Sequence, residues 1–591
     1  MKQVAGQKSL NNYFRPLPAP PPQRQAMQRS LPSPSPERQE RAVSYISISS
    51  DEDEPDTREP TGPTLCREQQ DLLDLIMSGK NVFFTGSAGC GKSTVLKAAI
   101  AQLQANNKKV AVTAPTGRAA LNVDGITLHS YMGWNTDDFE LDLDKLKGKM
   151  YGKAKKNIRK SLKATDVLII DEISMVENNF LSRMEEVLRD IRYTESPWGG
   201  LQLIVTGDFC QLPPVKPFQN CWVCGELDKT WRNLGEAGVT CSKNHGPWKI
   251  NQDKWAFKSP AWEAAGFTCV NLQEIHRQSD MPFIKTLQKC RLGIPCSEQE
   301  FDMLLNHHSV VDDATQLVCR RTEAEKINAE KLDEITEHTS KEYRCEDGVW
   351  FPPTYYGKKD TDTFTRTEEG TLPYFKDDRH RFSTKVELKE TQLVVLLVNL
   401  NLKKGLANGS QGVIVDWEQI DMEKLPTFDG PDGKLKTAHV GLFTDEYIRN
   451  NPEPENQVWP VVRFSNGYKK TIYPVCLVNS VNDHSGIKVY RTQLPLIPGW
   501  AITIHRSQGM TLERVIANLK NAFEVGQAYV ALSRATSLRG LRIEGGIGIE
   551  GRRKALSKGL SIGLGENQEV HNFLREKFGS RLPADREGSQ L

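Results

Sequence analysis

No run of apolar residues in this 591-residue chain approaches the ~20 that a membrane-spanning helix needs, and none reads as a signal-peptide h-region. An excess of charge of one sign is also missing. The chain has 77 Lys and Arg against 75 Asp and Glu, a net of +2, so a groove for a polyanion has to be a local feature. A disulfide framework is not indicated either. Twelve cysteines scattered through a chain of this size point to a reducing compartment. Residues 1–36 contain no acid and three Arg, which is transit-peptide composition, although their many prolines argue against an amphipathic helix.

What is present suits a multidomain globular protein. Hydrophobic residues make up 38% of the chain, and the length fits several domains of about 100–200 residues each. Residues 1–62 are rich in Pro, Gln, Ser and charge and are expected to form a disordered N-terminal tail. From about Thr64, apolar β-type runs alternate with helical segments: Val82–Thr85, Val110–Thr113, Val167–Ile170 and Leu203–Thr206. Such alternation argues for an α/β fold, a parallel sheet covered on both faces. A second series takes in Gln316–Cys319, Gln392–Leu397 and Val515–Ala517. Between about Leu402 and Tyr490, turn pairs such as Asn408-Gly409 and Asn466-Gly467 separate short strands, as expected of a small inserted β-barrel. The stretch after about Gly551 is expected to hold one helix, near Glu569–Phe578.

Chemistry is concentrated at the strand ends. Gly86, Ser87, Ala88, Gly89, Cys90, Gly91, Lys92, Ser93 and Thr94 follow the run Asn81-Val-Phe-Phe-Thr85. That is the place for a phosphate-binding loop, between a buried strand and a helix, where backbone N–H groups can cradle phosphates. Lys92 can reach the β- and γ-phosphates, and Ser93 can ligate Mg²⁺. Val167–Ile170 ends in Asp171 and Glu172. Beside a phosphate loop, Asp171 can hold Mg²⁺ and Glu172 can orient and deprotonate water; the plainer reading is an acid pair capping a helix. A third strand, Leu201–Thr206, places Gln211 just past its end, where an amide can sense the γ-phosphate.

The segments GSAGCGKST, AVTAPTGRAALNVDGITLHS, IIDEISM and GDFCQLPPV, with later runs in the right order, resemble the superfamily 1B DNA helicases of the Pif (petite integration frequency) family over roughly residues 64–545. The resemblance implies two RecA-like parallel-sheet cores with a small SH3-like β-barrel inserted in the second. The first core would cover 63–295, with a small wedge element at about 134–163. The second would cover 296–401 and 490–550, the barrel 402–489 and a C-terminal tail 551–591. It further implies ATP- and Mg²⁺-dependent 5′→3′ translocation on single-stranded DNA, with unwinding of forks, duplexes, hybrids or quadruplexes. By the same resemblance Gln69 reads adenine, and Arg277 and Arg534 are arginine fingers. In Trp500–Gln508, Thr503, His505 and Ser507 would touch the strand and Gln508 would link it to the ATP cleft, with Arg506 standing where the family usually has Lys. The segment from Ser174 to Gly200 favours the Pif branch over RecD-like relatives. A glycine of the family is missing near Glu390–Gln392.

Other features are read from the residues themselves. Pro115, Thr116, Gly117 and Arg118, with His129 and Ser130, offer hydroxyls, a cation and a turn suited to a single strand's phosphates. Lys145–Lys163 carries nine basic residues and no acid, as either a solvated helix face or a nucleic-acid-contacting surface. In the segment 217–250, Cys221-x₂-Cys224 and Cys241-x₃-His245 fit a structural tetrahedral Zn²⁺, unless the loop merely contains cysteines. Gln7, Leu10, Tyr13 and Phe14 match the box that docks on the proliferating cell nuclear antigen sliding clamp. Val43–Ile48 and the acids that follow look like a SUMO-interacting motif or an acidic linker, and Ser49 and Ser50 look phosphorylatable. The clamp box favours the nucleus, with a mitochondrial pool as the alternative, and the chain is expected to be a monomer. The functional alternative is a clamp-bound adaptor or protein remodeller that does not unwind.

Overall fold

The structure, a computed structural model, describes residues 65–134, 136–350, 366–367, 370–371, 382–398, 400–401, 404–419, 447, 458–480, 488–562 and 564–579. The clamp box Gln7–Phe14, the SUMO-type segment Val43–Ile48 and Ser49 and Ser50 lie outside the described residues.

Six strands form the first sheet: β1 (Val82–Gly86), β2 (Val110–Ala114), β3 (Ile126–Thr127), β4 (Val167–Ile170), β5 (Gln202–Thr206) and β6 (Thr268–Leu272). They pair in the order β3-β2-β4-β5-β1-β6, all parallel. Alternation along each strand explains why both faces are covered. Val82, Phe84 and Ile169 pack with Leu72 and Ile76 of the helix Arg67–Met77 and with Val95 and Leu96 of the helix Lys92–Ala105. Phe83, Leu168 and Ile170 face the other way, onto Met184, Val187 and Leu188 of the helix Asn178–Arg192.

Downstream come β7 (Thr315–Val318), β8 (Leu393–Leu396), β9 (Gln411–Gln419), β10 (Val458–Phe464), β11 (Lys469–Thr471), β12 (Leu496–Pro498), β13 (Ala501–Thr503), β14 (Val515–Asn518) and β15 (Leu541–Glu544). A second parallel sheet has the order β13-β7-β14-β15. The run Gln392–Leu397, expected in that series, belongs elsewhere. As β8 it pairs antiparallel with β9 and β12 in a five-stranded sheet of order β11-β10-β9-β8-β12. An apolar run tells that a strand is buried on both faces, but not which way its neighbours run. Closure of this sheet into an SH3-like barrel is not seen among the described residues, and 420–446 and 448–457 lie outside them.

The C-terminal stretch also holds more than the single helix expected. Helix Gly548–Ser561 buries Ala555 and Leu556 in the core of the second sheet. Helix Leu564–Phe578 returns to the first, where Phe573 stacks on Phe257 at 4.3 Å and meets Phe83, Phe209 and Trp262.

Candidate nucleotide and nucleic-acid site

The loop 86–91 leaves β1 and turns directly into the helix Lys92–Ala105, at whose N-terminus an anion is favoured. Two glycines are demanded by their surroundings. Gly89 and Gly91 have φ of 90° and 78°, and a Cβ would lie 2.5 Å from Arg277 and 2.3 Å from Gln69 respectively. Gln69 therefore touches the loop: its amide donates to the Cys90 carbonyl (3.3 Å) and lies 3.2 Å from His276 Nε2. Lys92 Nζ donates to the carbonyls of Gly86 and Ser87, at 2.7 and 3.0 Å. Ser93 stands exposed at the first turn.

Asp171 and Glu172 close the strand β4. The Glu172 N–H donates to Asp171 Oδ1 at 2.9 Å. Burial, then the neighbouring Glu172 charge, pushes the Asp171 carboxyl up to about 7; burial likewise raises Glu172. An acid pair that is costly to ionise, Asp171 buried and Glu172 partly so, fits a divalent cation, and Asp171 with the Ser93 hydroxyl supplies hard oxygen donors for Mg²⁺. Glu172 has a left-handed backbone, φ 51° and ψ 46°, a costly conformation for a non-glycine of the kind that clusters at functional sites.

The second sheet's segments complete the cleft. Gln508 donates to Glu172 Oε2 at 3.1 Å, joining the residue after the short helix Ile504–Ser507 to the acid pair. Tyr529 hydroxyl accepts the Ala88 N–H at 2.9 Å. Arg277 donates to Thr511 Oγ1 (3.1 Å) and the Ser533 carbonyl (2.9 Å). Arg534, 2% exposed, donates to Val530 O (2.9 Å) and Ser533 Oγ (3.0 Å), with longer contacts to the Ser507 and Met510 carbonyls. Both guanidiniums are thus held by neutral groups. Burial, then repulsion from Arg534, lowers Arg277 to about 9, and burial lowers Arg534. Two cations whose hydrogen bonds among the described residues go to neutral groups, beside a loop at a helix N-terminus, make a site for a polyanion.

Asp208, Arg291 and Tyr529 were not assigned from the sequence. Asp208 is fully buried, and its ion pair with Arg291 (2.9 Å) holds it below the usual carboxylate range although burial opposes this. Its carboxylate accepts from the Gln211 amide at 3.3 Å, so it sets where Gln211 points. The signal for Asp208 was an acid just after a buried strand; Tyr529 had no local signal because its partner lies in the other core.

The residues read as strand contacts divide by exposure. Thr116 and Thr503 cap short helices by accepting from Ala119 N–H (3.2 Å) and Arg506 N–H (3.2 Å). Pro115 precedes that cap, and Gly117 and Arg118 open the helix Gly117–Asn122. His129 packs between Phe139 and Phe180, Ser130 shares a hydrogen bond with Thr127 (2.8 Å), and His505 pairs with Glu524 (2.8 Å). Arg506 is partly exposed beside it. Ser507 is buried with its hydroxyl on the Ile504 carbonyl at 2.8 Å. The basic run is largely engaged: Lys145 with Asp142, Lys147 with Glu186, and Lys149 and Lys155 with Asp138. Lys153, Lys156 and Lys160 remain on the surface. Cys221, Cys224, Cys241 and His245 come together, their ligand atoms all within 4.8 Å of one another.

Residues 64–233 match the model of the PIF1-like helicase family. An ATP-dependent DNA helicase PIF1 of Xenopus laevis is 32% identical over 85% of this chain and 65% of its own length. An ATP-dependent DNA helicase Pif1 of a Psychrobacter species is 32% identical over 83% of this chain and 70% of its own. The chain thus spans about two thirds of the length of such relatives. The crystal structure of Pif1 helicase from Candida albicans, 28% identical, covers 86% of this chain and all of that one with a TM-score of 0.57. That of Bacteroides Pif1 in complex with ADP-AlF₄, 26% identical, covers 84% of this chain and 98% of that one with a TM-score of 0.56. With the cleft's parts in the order and places described, the chain belongs to the PIF1-like helicase family.

Proposed function

We propose that the chain is an ATP- and Mg²⁺-dependent DNA helicase that translocates 5′→3′ on single-stranded DNA and unwinds forks, hybrids or quadruplexes in replication, repair or recombination. The observation that carries this reading is the cleft. The phosphate loop of one sheet faces Arg534, Tyr529 and Gln508 of the other, so occupation by a nucleotide changes how the two cores meet. Relatives named as ATP-dependent DNA helicases support the activity, and the crystal structure of Bacteroides Pif1 bound to ssDNA, 26% identical with a TM-score of 0.50, supports the substrate.

The geometry supports these roles. Lys92 and the loop N–H groups exchange their present oxygen partners for phosphates. Glu172, tied to Gln508, holds and deprotonates the attacking water, and Gln211 senses the terminal phosphate from its seat on Asp208. Arg277 and Arg534 neutralise the charge that develops there. Mg²⁺ on Ser93 and Asp171 supplies Lewis-acid polarisation when bound. Strand contacts are assigned to 115–118, His129, Ser130, Thr503, His505, Arg506 and the Ser507 segment. The clamp box would tether a nuclear monomer to the sliding clamp, and the 43–54 segment would engage SUMO. A mitochondrial pool is the alternative address.

The test is ATP-driven unwinding of a forked DNA with a 5′ tail against one with a 3′ tail, with Lys92→Ala as control. Unwinding from the 5′ tail alone, abolished by Lys92→Ala, is expected. Strand-stimulated hydrolysis without unwinding would instead mark a remodeller, and no hydrolysis would leave only an adaptor.

A further inference from the structure

Between β5 and β6 the insertion 217–250 serves no part of the cleft. It has little to hold itself together: two two-residue strands, Arg232–Asn233 and Val239–Thr240, and a small cluster around Phe218 and Trp248. A module of this size needs a staple beyond its apolar contacts.

We propose that Cys221, Cys224, Cys241 and His245 bind one zinc ion, and that this closed site braces the segment 138–143 against the first core. The argument is first metrical. A tetrahedral zinc with Zn–S of about 2.3 Å and Zn–N of about 2.05 Å requires S···S edges of about 3.8 Å and S···N edges of about 3.6 Å. Cys224 Sγ lies 3.7 Å from Cys241 Sγ, and His245 Nδ1 lies 3.5 Å from Cys221 Sγ and 3.3 Å from Cys241 Sγ. A disulfide, with S–S of about 2.05 Å, is a different arrangement, and all twelve cysteines are free thiols. The His245 backbone N–H also donates to Cys241 Sγ, 3.4 Å away.

The surroundings fit the charge. Three thiolates, a neutral imidazole and Zn²⁺ sum to −1, and the buried cation nearby is Arg183, 1% exposed. Its guanidinium donates to the carbonyls of Asp138, Phe139 and Leu141, and its Nε has no hydrogen-bond partner among the described residues. An anionic metal site adds to the counter-charge that Asp138 and Asp142 give this buried cation. Four protein ligands leave no open position, so the ion is structural.

The brace follows from the contacts of the Cys221–Gly225 knuckle. The Leu143 N–H donates to the Val223 carbonyl at 2.8 Å. Gly225, φ 75°, lies so close to the 140–141 backbone that a Cβ would stand 2.2 Å from the Glu140 carbonyl oxygen. Arg183 grips the same segment from the helix Asn178–Arg192. On the opposite side, Glu177 accepts the Phe218 N–H at 2.6 Å and Asn179 donates to the Asn220 carbonyl. Metal, helix and segment therefore form one unit, from which the basic element to Lys163 departs.

The full chain, purified without a polyhistidine tag or added metal, is expected to carry one zinc per molecule by elemental mass spectrometry. Cobalt(II) in its place should give the spectrum of a tetrahedral thiolate site. Cys224→Ser with Cys241→Ser is expected to abolish the metal and speed hydrogen exchange of 138–143, while β1 keeps its protection. Cys210→Ser, outside the cluster, is expected to retain zinc. Absence of zinc from the native chain, a Cys224–Cys241 disulfide in its peptide map, or zinc retained by the double variant would each overturn the site. Unchanged exchange of 138–143 in the metal-free variant would overturn the brace. Should the double variant not fold, the metal content and cobalt spectrum of the native chain still decide the site, and exchange of the chelator-stripped native chain decides the brace.

Discussion

At the scale of single residues, two left-handed non-glycines tell different stories. Glu172 takes φ 51° at the centre of the cleft, where neighbours from both cores hold it. Thr391 takes φ 67° on an exposed turn, where its N–H donates to the Ile414 carbonyl at 2.8 Å. Glycine, the residue suited to such a backbone, does not stand here; a threonine does. A β-branched side chain there costs about 1–2 kcal/mol, and glycine gives part of that back to chain entropy. Thr391→Gly is therefore expected to raise stability by up to about 1 kcal/mol in urea unfolding, while Thr391→Ala changes it little. A glycine variant no more stable than the alanine one would show that the turn is not strained.

At the scale of elements, legibility tracks how local the cause is. β1, β2, β4 and β5 were plain because each is an apolar run between loops, buried on both faces. β6 was missed: Thr268-Cys-Val-Asn-Leu272 lies at the sheet edge, half-buried, and mixes polar with apolar residues. The loop glycines, Lys92, Asp171 and the cluster of Cys221, Cys224, Cys241 and His245 were legible because such chemistry requires fixed spacing. Arg291 and Tyr529 were not, since each matters through a partner far off in sequence, Asp208 and Ala88. Helix Leu564–Phe578 is the clearest case. Its sequence announces a helix, but only the fold shows that Val570, Phe573 and Leu574 fill the first core. Phe573, 6% exposed among four aromatic neighbours, should be costly to remove. Phe573→Ala is expected to destabilise the first core by about 3–5 kcal/mol in denaturant unfolding. A loss below about 1 kcal/mol, the range of surface changes, would mean the helix is docked only loosely.

At the scale of the whole molecule, the two C-terminal helices form a strap. Helix Gly548–Ser561 packs on the second sheet, with Gly559 against Ala528, and helix Leu564–Phe578 packs on the first. Contacts inside the cleft, such as Gln508 to Glu172 and Tyr529 to Ala88, must exchange whenever nucleotide enters or leaves. The strap lies outside that exchange and ends at side chains buried in each core, so it can limit how far the cores part while the cleft contacts are broken. Lengthening it isolates this role. A flexible Gly/Ser insertion of about eight residues between Ile562 and Leu564 leaves both helices free to dock. The added closure entropy is small, so each core's stability is expected to stay within about 1 kcal/mol of the parent. The distance between fluorophores placed by noncanonical amino acids at Lys80 and Glu325, exposed positions on the two cores, is expected to spread to longer values without nucleotide and to converge on the parent's when a nucleotide analogue is bound. An unchanged distribution without nucleotide would mean that the cleft contacts alone hold the cores together. A spread that persists with the analogue would mean that the strap is needed for closure itself.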